Sequence, residues 1–226
     1  MQYAYLIGCL IFLVVWLLFF ILRKDLRKEM IFGSILSLPF GFSEYLWVPE
    51  YWNPPSLFNL ISTYGVGIES FLFCFFCGGM AAVIYEIIGR KKMVKIRLQH
   101  RYLFGPYISV IIIFISLEFI FTERTIYNAI ISLLIGATII AIKRKDLIGQ
   151  IIFGGIFFAI IYFLLFLIFN RLFPDYISMT YTLENLWGIM ILGVPLEEVV
   201  ISFSAGAVWS SFYEYIRGYR TRDITR

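Results

Sequence analysis

Long apolar runs separated by short polar breaks organise this chain from end to end. Seven such runs lie at 3–22, 30–48, 66–88, 103–121, 125–142, 148–170 and 195–216. Each is close to the ~20 residues that a helix needs to cross the hydrocarbon core of a bilayer. The pattern predicts an all-α membrane protein with seven transmembrane helices, forming a single membrane domain over 1–226.

The pattern also repeats. Residues 65–86 align with 193–214 without a gap. Gly65, Val66, Glu69, Phe75, Gly78, Tyr85 and Glu86 are matched by Gly193, Val194, Glu197, Phe203, Gly206, Tyr213 and Glu214. Upstream, Arg23-Lys24-Asp25-Leu26 matches Arg144-Lys145-Asp146-Leu147, Ile31-Phe32-Gly33 matches Ile152-Phe153-Gly154, and Asn59-Leu60 matches Asn185-Leu186. This predicts an internal duplication of roughly 125 residues. Repeat one covers 1–90, a linker helix lies within 91–121, and repeat two covers 122–226. Three spans, one linker span and three spans (3+1+3) return the second copy in the same orientation. The repeats are therefore expected to be parallel, with Glu69 and Glu197 opposed across a pseudo-two-fold axis.

Composition agrees with this class: 61% of residues are apolar, 19% aromatic and only 15% charged, far fewer charges than a soluble domain carries. The first run resembles a signal sequence in length. No small-residue cleavage site follows it, and the duplication pairs it with an internal segment, so it is read as a span. The loops at 23–29, 89–101 and 143–147 and the tail from Arg217 hold 17 of the 19 Lys and Arg residues. By the positive-inside rule the N-terminus is expected outside and the C-terminus in the cytoplasm, in a cell membrane. The run Arg90-Lys91-Lys92 is explained by topology and anionic lipid at that face, with no need of a nucleic acid partner. Cys9, Cys74 and Cys77 fall in apolar runs, so Cys74-x-x-Cys77 is read as buried thiols. The one histidine, His100, lies in a basic loop, and no histidine-ligated metal is expected.

Acids inside apolar runs are costly and read as functional by default. Gly193-Val194-Pro195-Leu196-Glu197-Glu198 opens the last run. Pro195 suits a first helical turn, and the helix dipole favours the two acids there. Glu44, Glu69, Glu118, Glu197 and Glu198 are all expected in the outer half of the membrane. Glu86 and Glu214 sit a turn from basic loops and are expected to pair with Arg90 or Arg217. Glu197 and Glu198 are about 100° apart on a helix, so they have different roles. Glu197, aligned with Glu69, is expected to face a central cavity, where a neutral carboxyl serves as a proton donor. The outer connections 49–65 and 171–194 carry Tyr51, Trp52, Asn53-Pro54-Pro55, Pro174, Tyr176, Tyr181 and Trp187. They suit either an interfacial aromatic belt or segments folded back as the roof of a cavity.

Pro195-Leu196-Glu197-Glu198 resembles the Pro-x-Glu-Glu/Asp motif of the membrane-type lycopene cyclases, and the duplication and span count match that family along nearly the whole chain. The first copy departs from it: Gly67-Ile68-Glu69-Ser70 lacks the proline and the second acid. The resemblance implies a cofactor-independent isomerase acting on a linear carotenoid within the bilayer. A terminal C=C is protonated, the neighbouring double bond closes a six-membered ring, and a base removes a proton. Glu197 and Glu69 would be the acid–base pair, and Glu198 would orient or charge-balance them. Aromatic faces would stabilise the cation. Trp187, Trp209, Phe203, Phe73, Tyr85 and Tyr213 are candidates, and Glu44, Asn59 and Asn185 join Phe73, Phe203, Trp187 and Trp209 as substrate contacts.

Other chemistries lack their residues. A Glu-Glu intramembrane protease needs a nearby arginine and histidines in its spans, a retinal protein needs a lysine in the last span, and a carotene oxygenase needs several histidines. No Gly-x-Gly-x-x-Gly follows a strand, so no flavin-binding domain is indicated. A carotenoid-binding or small proton-coupled carrier protein fits the same acids, and a homo-oligomer is compatible with either reading.

Overall fold

The computed structural model describes residues 2–96 and 104–223; His100 and the rest of 97–103 lie outside the described residues. The chain is mostly helical. In order come α1 (Ala4–Leu22), α2 (Arg27–Ser37), α3 (Glu44–Trp47), α4 (Leu60–Tyr64), α5 (Ile68–Ile88), α6 (Gly105–Ile120), α7 (Thr125–Lys143), α8 (Ile148–Leu172), α9 (Tyr176–Thr180) and α10 (Leu196–Arg217). Short strands β1 (Lys91–Lys95), β2 (Met190–Ile191), β3 (Val194–Pro195) and β4 (Tyr219–Asp223) and several 3-10 segments lie between or after them.

Among the described residues, four helices are long and apolar enough to cross a membrane: α1, α5, α7 and α8 with the turn before it. The other three expected spans depart from that form for separate reasons. The run at 30–48 does not make one helix. After α2 a 3-10 stretch, Leu38–Ser43, takes over at Pro39, which lacks the N–H that an α-helix would use. Ser37 Oγ there donates to the Cys74 carbonyl at 2.7 Å. Helix α6 has 16 residues, short of a full span. Helix α10 has 22, but Glu197, Glu198, Glu214 and four serines dilute its apolar character. It compensates by burial, since every residue from Gly206 to Ile216 is buried.

Glycines let the helices approach closely. A Cβ on Gly78 of α5 would stand 2.8 Å from the Gly33 carbonyl of α2, and a Cβ on Gly206 of α10 would stand 2.9 Å from the Gly154 carbonyl of α8. Small residues at a helix interface are the usual device where lipid gives no hydrophobic drive to association.

At the basic end, two arginines make matching sets of bonds. Arg23 forks onto both Asp25 oxygens at 2.9 and 2.8 Å and donates to the carbonyls of Glu86 and Lys91. Arg144 forks onto both Asp146 oxygens at 2.8 Å and donates to the carbonyls of Glu214 and Tyr219. Strands β1 and β4 pair antiparallel there, with Met93 opposite Thr221 at the centre and Lys91 opposite Asp223 at one end.

At the other end the connections 49–65 and 171–194 fold back over the bundle. Asn53 N–H donates to the Thr180 carbonyl at 2.7 Å, and Thr182 N–H to the Tyr51 carbonyl at 2.9 Å. Asn185 Nδ2 reaches the Glu50 carbonyl at 2.7 Å. Of the two readings left open for these segments, belt and roof, the cavity lining by Tyr51, Trp52, Tyr176 and Tyr181 favours the roof.

Candidate active site

Under that roof lies a cavity of about 280 Å³. It is bounded by α1, α3, α5, α6, α7, α8, α10 and the two outer connections, and its wall is almost wholly apolar and aromatic. Phe40, Trp47, Trp52, Phe73, Phe114, Phe158, Phe166, Phe169 and Trp209 all contribute. Two carboxyl groups reach it, those of Glu44 and Glu198, each 5% exposed.

Glu198 stands in the first turn of α10. Gly193, at φ 81°, turns the chain in the left-handed region where glycine is at ease. Pro195 is paired in β3 with Met190 and precedes the helix instead of opening it. Three phenols converge on the Glu198 carboxyl. Tyr51 and Tyr181 donate to Oε1 at 2.7 and 2.8 Å, and Tyr162 donates to Oε2 at 2.6 Å. Tyr51 and Tyr181 come one from each outer connection, with ring centroids 5.3 Å apart. Burial, reinforced by the Glu198 charge, pushes both phenols well above the usual tyrosine range, so both remain donors. Tyr162 comes from the middle of α8 and packs edge-on against Phe12 and Phe73.

Glu69 and Glu197 are not at the cavity wall, contrary to the expected placement. Each is buried, at 1% and 0% exposure, but each turns to the outer connection of its own half. Glu69 Oε1 accepts the Leu57 N–H at 2.5 Å. Glu197 Oε1 accepts the Trp187 N–H at 2.5 Å and the Tyr127 hydroxyl at 3.0 Å. The cause is the turn of the helix: one step along α10 rotates a side chain by about 100°, so when Glu198 faces the cavity Glu197 faces the loop. In the first half the residue aligned with Glu198 is Ser70, and Ser70 lines the cavity beside Glu44.

Of the aromatic candidates, Phe73 and Trp209 line the cavity. Trp209 Nε1 donates to the Gly33 carbonyl at 3.3 Å, and its ring meets Phe40 edge-on. Trp187 is exposed and lies against Tyr127, Phe203 packs on Gly155, and Tyr213 stacks on Tyr219 at the basic end. Trp187, Phe203, Tyr85 and Tyr213 are absent from the cavity lining. Asn59 is exposed, with a left-handed φ of 55°, and Asn185 is spent on Glu50; neither reaches the cavity. Glu118 accepts from Asn128 and Thr125 at the edge of α7. Cys74 and Cys77 are free thiols on the cavity wall, as is Cys9.

Glu86 and Glu214 do not pair with Arg90 or Arg217. Both are fully buried and meet Glu29, while the Arg217 guanidinium lies 5.8 Å over the Phe32 ring. Sequence reasoning passed over Tyr162 and Glu29. Tyr162 is an unmarked aromatic within an apolar run, and Glu29 reads as a solvated neighbour of Arg27 and Lys28.

No curated protein and no solved structure matches the chain. A family model does. Residues 124–216, which contain α7, α8 and the helix that carries Glu197 and Glu198, match the family described as lycopene cyclase. The match covers less than half of the chain, and this second half is similar to that family.

Proposed function

We propose that the chain closes an ionone-type ring on a linear carotene such as lycopene, by proton-initiated isomerisation without a cofactor, with Glu44 and Glu198 as the acid–base pair. The observation that carries this reading is Glu198 set in an apolar, aromatic cavity with three tyrosine hydroxyls donating to it. Its oxygens already have donors, which suits a carboxylate that accepts a proton. Glu44, the other carboxyl on the wall, gives one.

The Glu44 O–H adds its proton to a terminal C=C, leaving a carbocation. The electron pair of the neighbouring double bond forms the ring C–C bond and moves the positive charge into the ring. Glu198 takes a ring proton, and that C–H pair becomes the new ring C=C. Bonds and protons balance with no redox change, and return of the proton from Glu198 to Glu44 resets the site. The faces of Phe73, Trp209 and Tyr162 supply the quadrupoles that attract a passing cation. Glu69 and Glu197 are positioning residues that hold the roof segments onto α5 and α10.

The same reading places two parallel repeats about a pseudo-two-fold axis, supported by the matching bonds of Arg23 and Arg144 and the symmetric register of β1 on β4. The basic end faces the cytoplasm of a cell membrane, against anionic lipid, and the roofed cavity lies toward the outside. Expression in a lycopene-accumulating host followed by pigment chromatography tests the activity. If the wild-type chain leaves the linear carotene unchanged, the carotenoid-binding or proton-coupled carrier reading replaces it.

A further inference from the structure

At the opposite end of α5 and α10 from Glu69 and Glu198 lies a second group of acids that the proposed cyclisation does not use. Glu69 and Glu86 are 17 residues apart on one helix, about 26 Å at 1.5 Å per residue. Glu29 of α2, Glu86 of α5 and Glu214 of α10 are each 0% exposed. One oxygen from each lies within 4.8 Å of the other two. A carboxyl group is almost never fully buried unless paired or bound to a metal.

No ion pair reaches any of the three among the described residues. Arg23 and Arg144 come close, but their forks are taken up by Asp25 and Asp146, and two further N–H groups on each go to main-chain carbonyls. A separate side chain is turned into the group. Gln150 of α8 is 2% exposed. Its Nε2 donates to Glu86 Oε1 at 2.9 Å and also to the Ser210 carbonyl, and its amide lies against Glu214. That orientation leaves Gln150 Oε1 buried with no donor. Both oxygens of Glu29, both of Glu214 and Oε2 of Glu86 are likewise buried without an N–H or hydroxyl donor. Three carboxyls gathered in a dry site with a single amide donor are satisfied by protons shared among them or by a bound cation.

We propose that Glu29, Glu86, Glu214 and the Gln150 amide oxygen form a binding site for a hard divalent cation at the junction of the two halves. Carboxylate and amide oxygens are the donors that Ca²⁺, Mn²⁺ and Mg²⁺ prefer. Ca²⁺ holds six to eight oxygens at 2.3–2.6 Å, so two of its ligands stand at most about 5.2 Å apart, and the three carboxylate oxygens lie within that limit. Mg²⁺ keeps several of its waters, and this enclosed site suits it less. The cation would tie α2, α5, α8 and α10 together beneath the cavity, a structural role in which loading accompanies folding.

The test uses the full chain in detergent. Mn²⁺ titration followed by electron paramagnetic resonance should give one tightly bound ion per chain, displaced by Ca²⁺. Chelator treatment should lower the Tm, and Ca²⁺ should restore it. Glu29→Gln and Glu214→Gln keep the shape and remove a charge, and each should raise the Mn²⁺ Kd by at least about tenfold. Should those variants fail to fold, Gln150→Met, which removes the amide without changing any charge, should still weaken Mn²⁺ binding several-fold. Wild-type protein that binds no Mn²⁺ at millimolar concentration and keeps its Tm in chelator overturns the proposal. Variants at all three positions that bind Mn²⁺ as tightly as wild type overturn it equally, by placing the ion elsewhere.

Discussion

The Tyr51 hydroxyl donates to Glu198 Oε1 at 2.7 Å across a separation of 147 residues. A loop of the first half thus completes the carboxyl site of the second, and Tyr181 brings the second half's own loop to the same oxygen. The two roof segments are joined by backbone bonds between 51–53 and 180–182. Sealing the cavity and loading Glu198 with donors are therefore one structural event.

Glu198→Gln and Glu44→Gln should each lower cyclisation by at least ~10²-fold, the lower range for general acid–base catalysis, at matched protein level. Glu197→Gln should lower abundance more than turnover, because its partners are Trp187 N–H and the Tyr127 hydroxyl. The readout is the ratio of cyclised to linear carotene per unit of protein. A Glu197→Gln variant as inactive per molecule as Glu198→Gln would return the catalytic role to the loop-facing acid.

Tyr51→Phe and Tyr181→Phe each remove one hydroxyl from the same oxygen. A hydrogen bond to a charged group contributes about 1.5–3 kcal/mol, so each should cost roughly tenfold or more in turnover. Since both act on Glu198 Oε1, the double variant should fall short of or exceed the product of the singles, with a coupling of about 0.5–3 kcal/mol. Strictly multiplicative effects would mean that the two phenols act separately.

How much of this was legible in the sequence depends on the residue. Length and apolarity mark α1, α5, α7 and α8 without help from context. The break after Ser37 is less marked, because a single Pro39 is compatible with a kinked span as well as with a 3-10 segment. The acid motif is plain at Glu197-Glu198, but which acid faces inward depends on a rotation of about 100° that only neighbouring helices set. Tyr51 and Tyr181 stand out as loop aromatics, yet their common partner lies far along the chain. Glu86 and Glu214 mislead for a related reason: their sequence neighbours are basic, while their spatial neighbours are Glu29 and Gln150.

Reporter fusions after residue 95 and at the C-terminus should both report cytoplasm, following the placement of 17 of 19 Lys and Arg residues at that end. An external signal from either fusion would invert the bundle and put the roofed cavity on the cytoplasmic side.

Gly78→Ala and Gly206→Ala should each destabilise the protein by about 1–3 kcal/mol, the usual cost of overpacking. The new methyl groups would meet backbone carbonyls at 2.8 and 2.9 Å, which cannot swing away as side chains do. Gly149→Ala is the control: nothing lies within 4 Å of its Cβ position, so it should be neutral or gain up to about 1 kcal/mol from helix propensity. Thermal unfolding in detergent decides, and equal losses at all three sites would refute close helix packing as the cause.

The two arginine forks make a pH prediction. Hydrogen bonds from Arg23 and Arg144 hold the Asp25 and Asp146 carboxyls below their usual range. A folded-state value below the unfolded one means a contribution fully present above the unfolded value, about 3.9, and lost as pH falls through the lower folded value. The Tm gap between wild type and Asp146→Asn should therefore be constant from about pH 7 to 5 and close below about pH 4. Arg144→Lys should be more damaging than Arg23→Lys, because the Arg144 side chain is 9% exposed against 20% for Arg23. A lysine also cannot reproduce the planar fork. A gap that persists undiminished to about pH 2, below the usual carboxylate range, would show that Asp146 contributes shape and not charge.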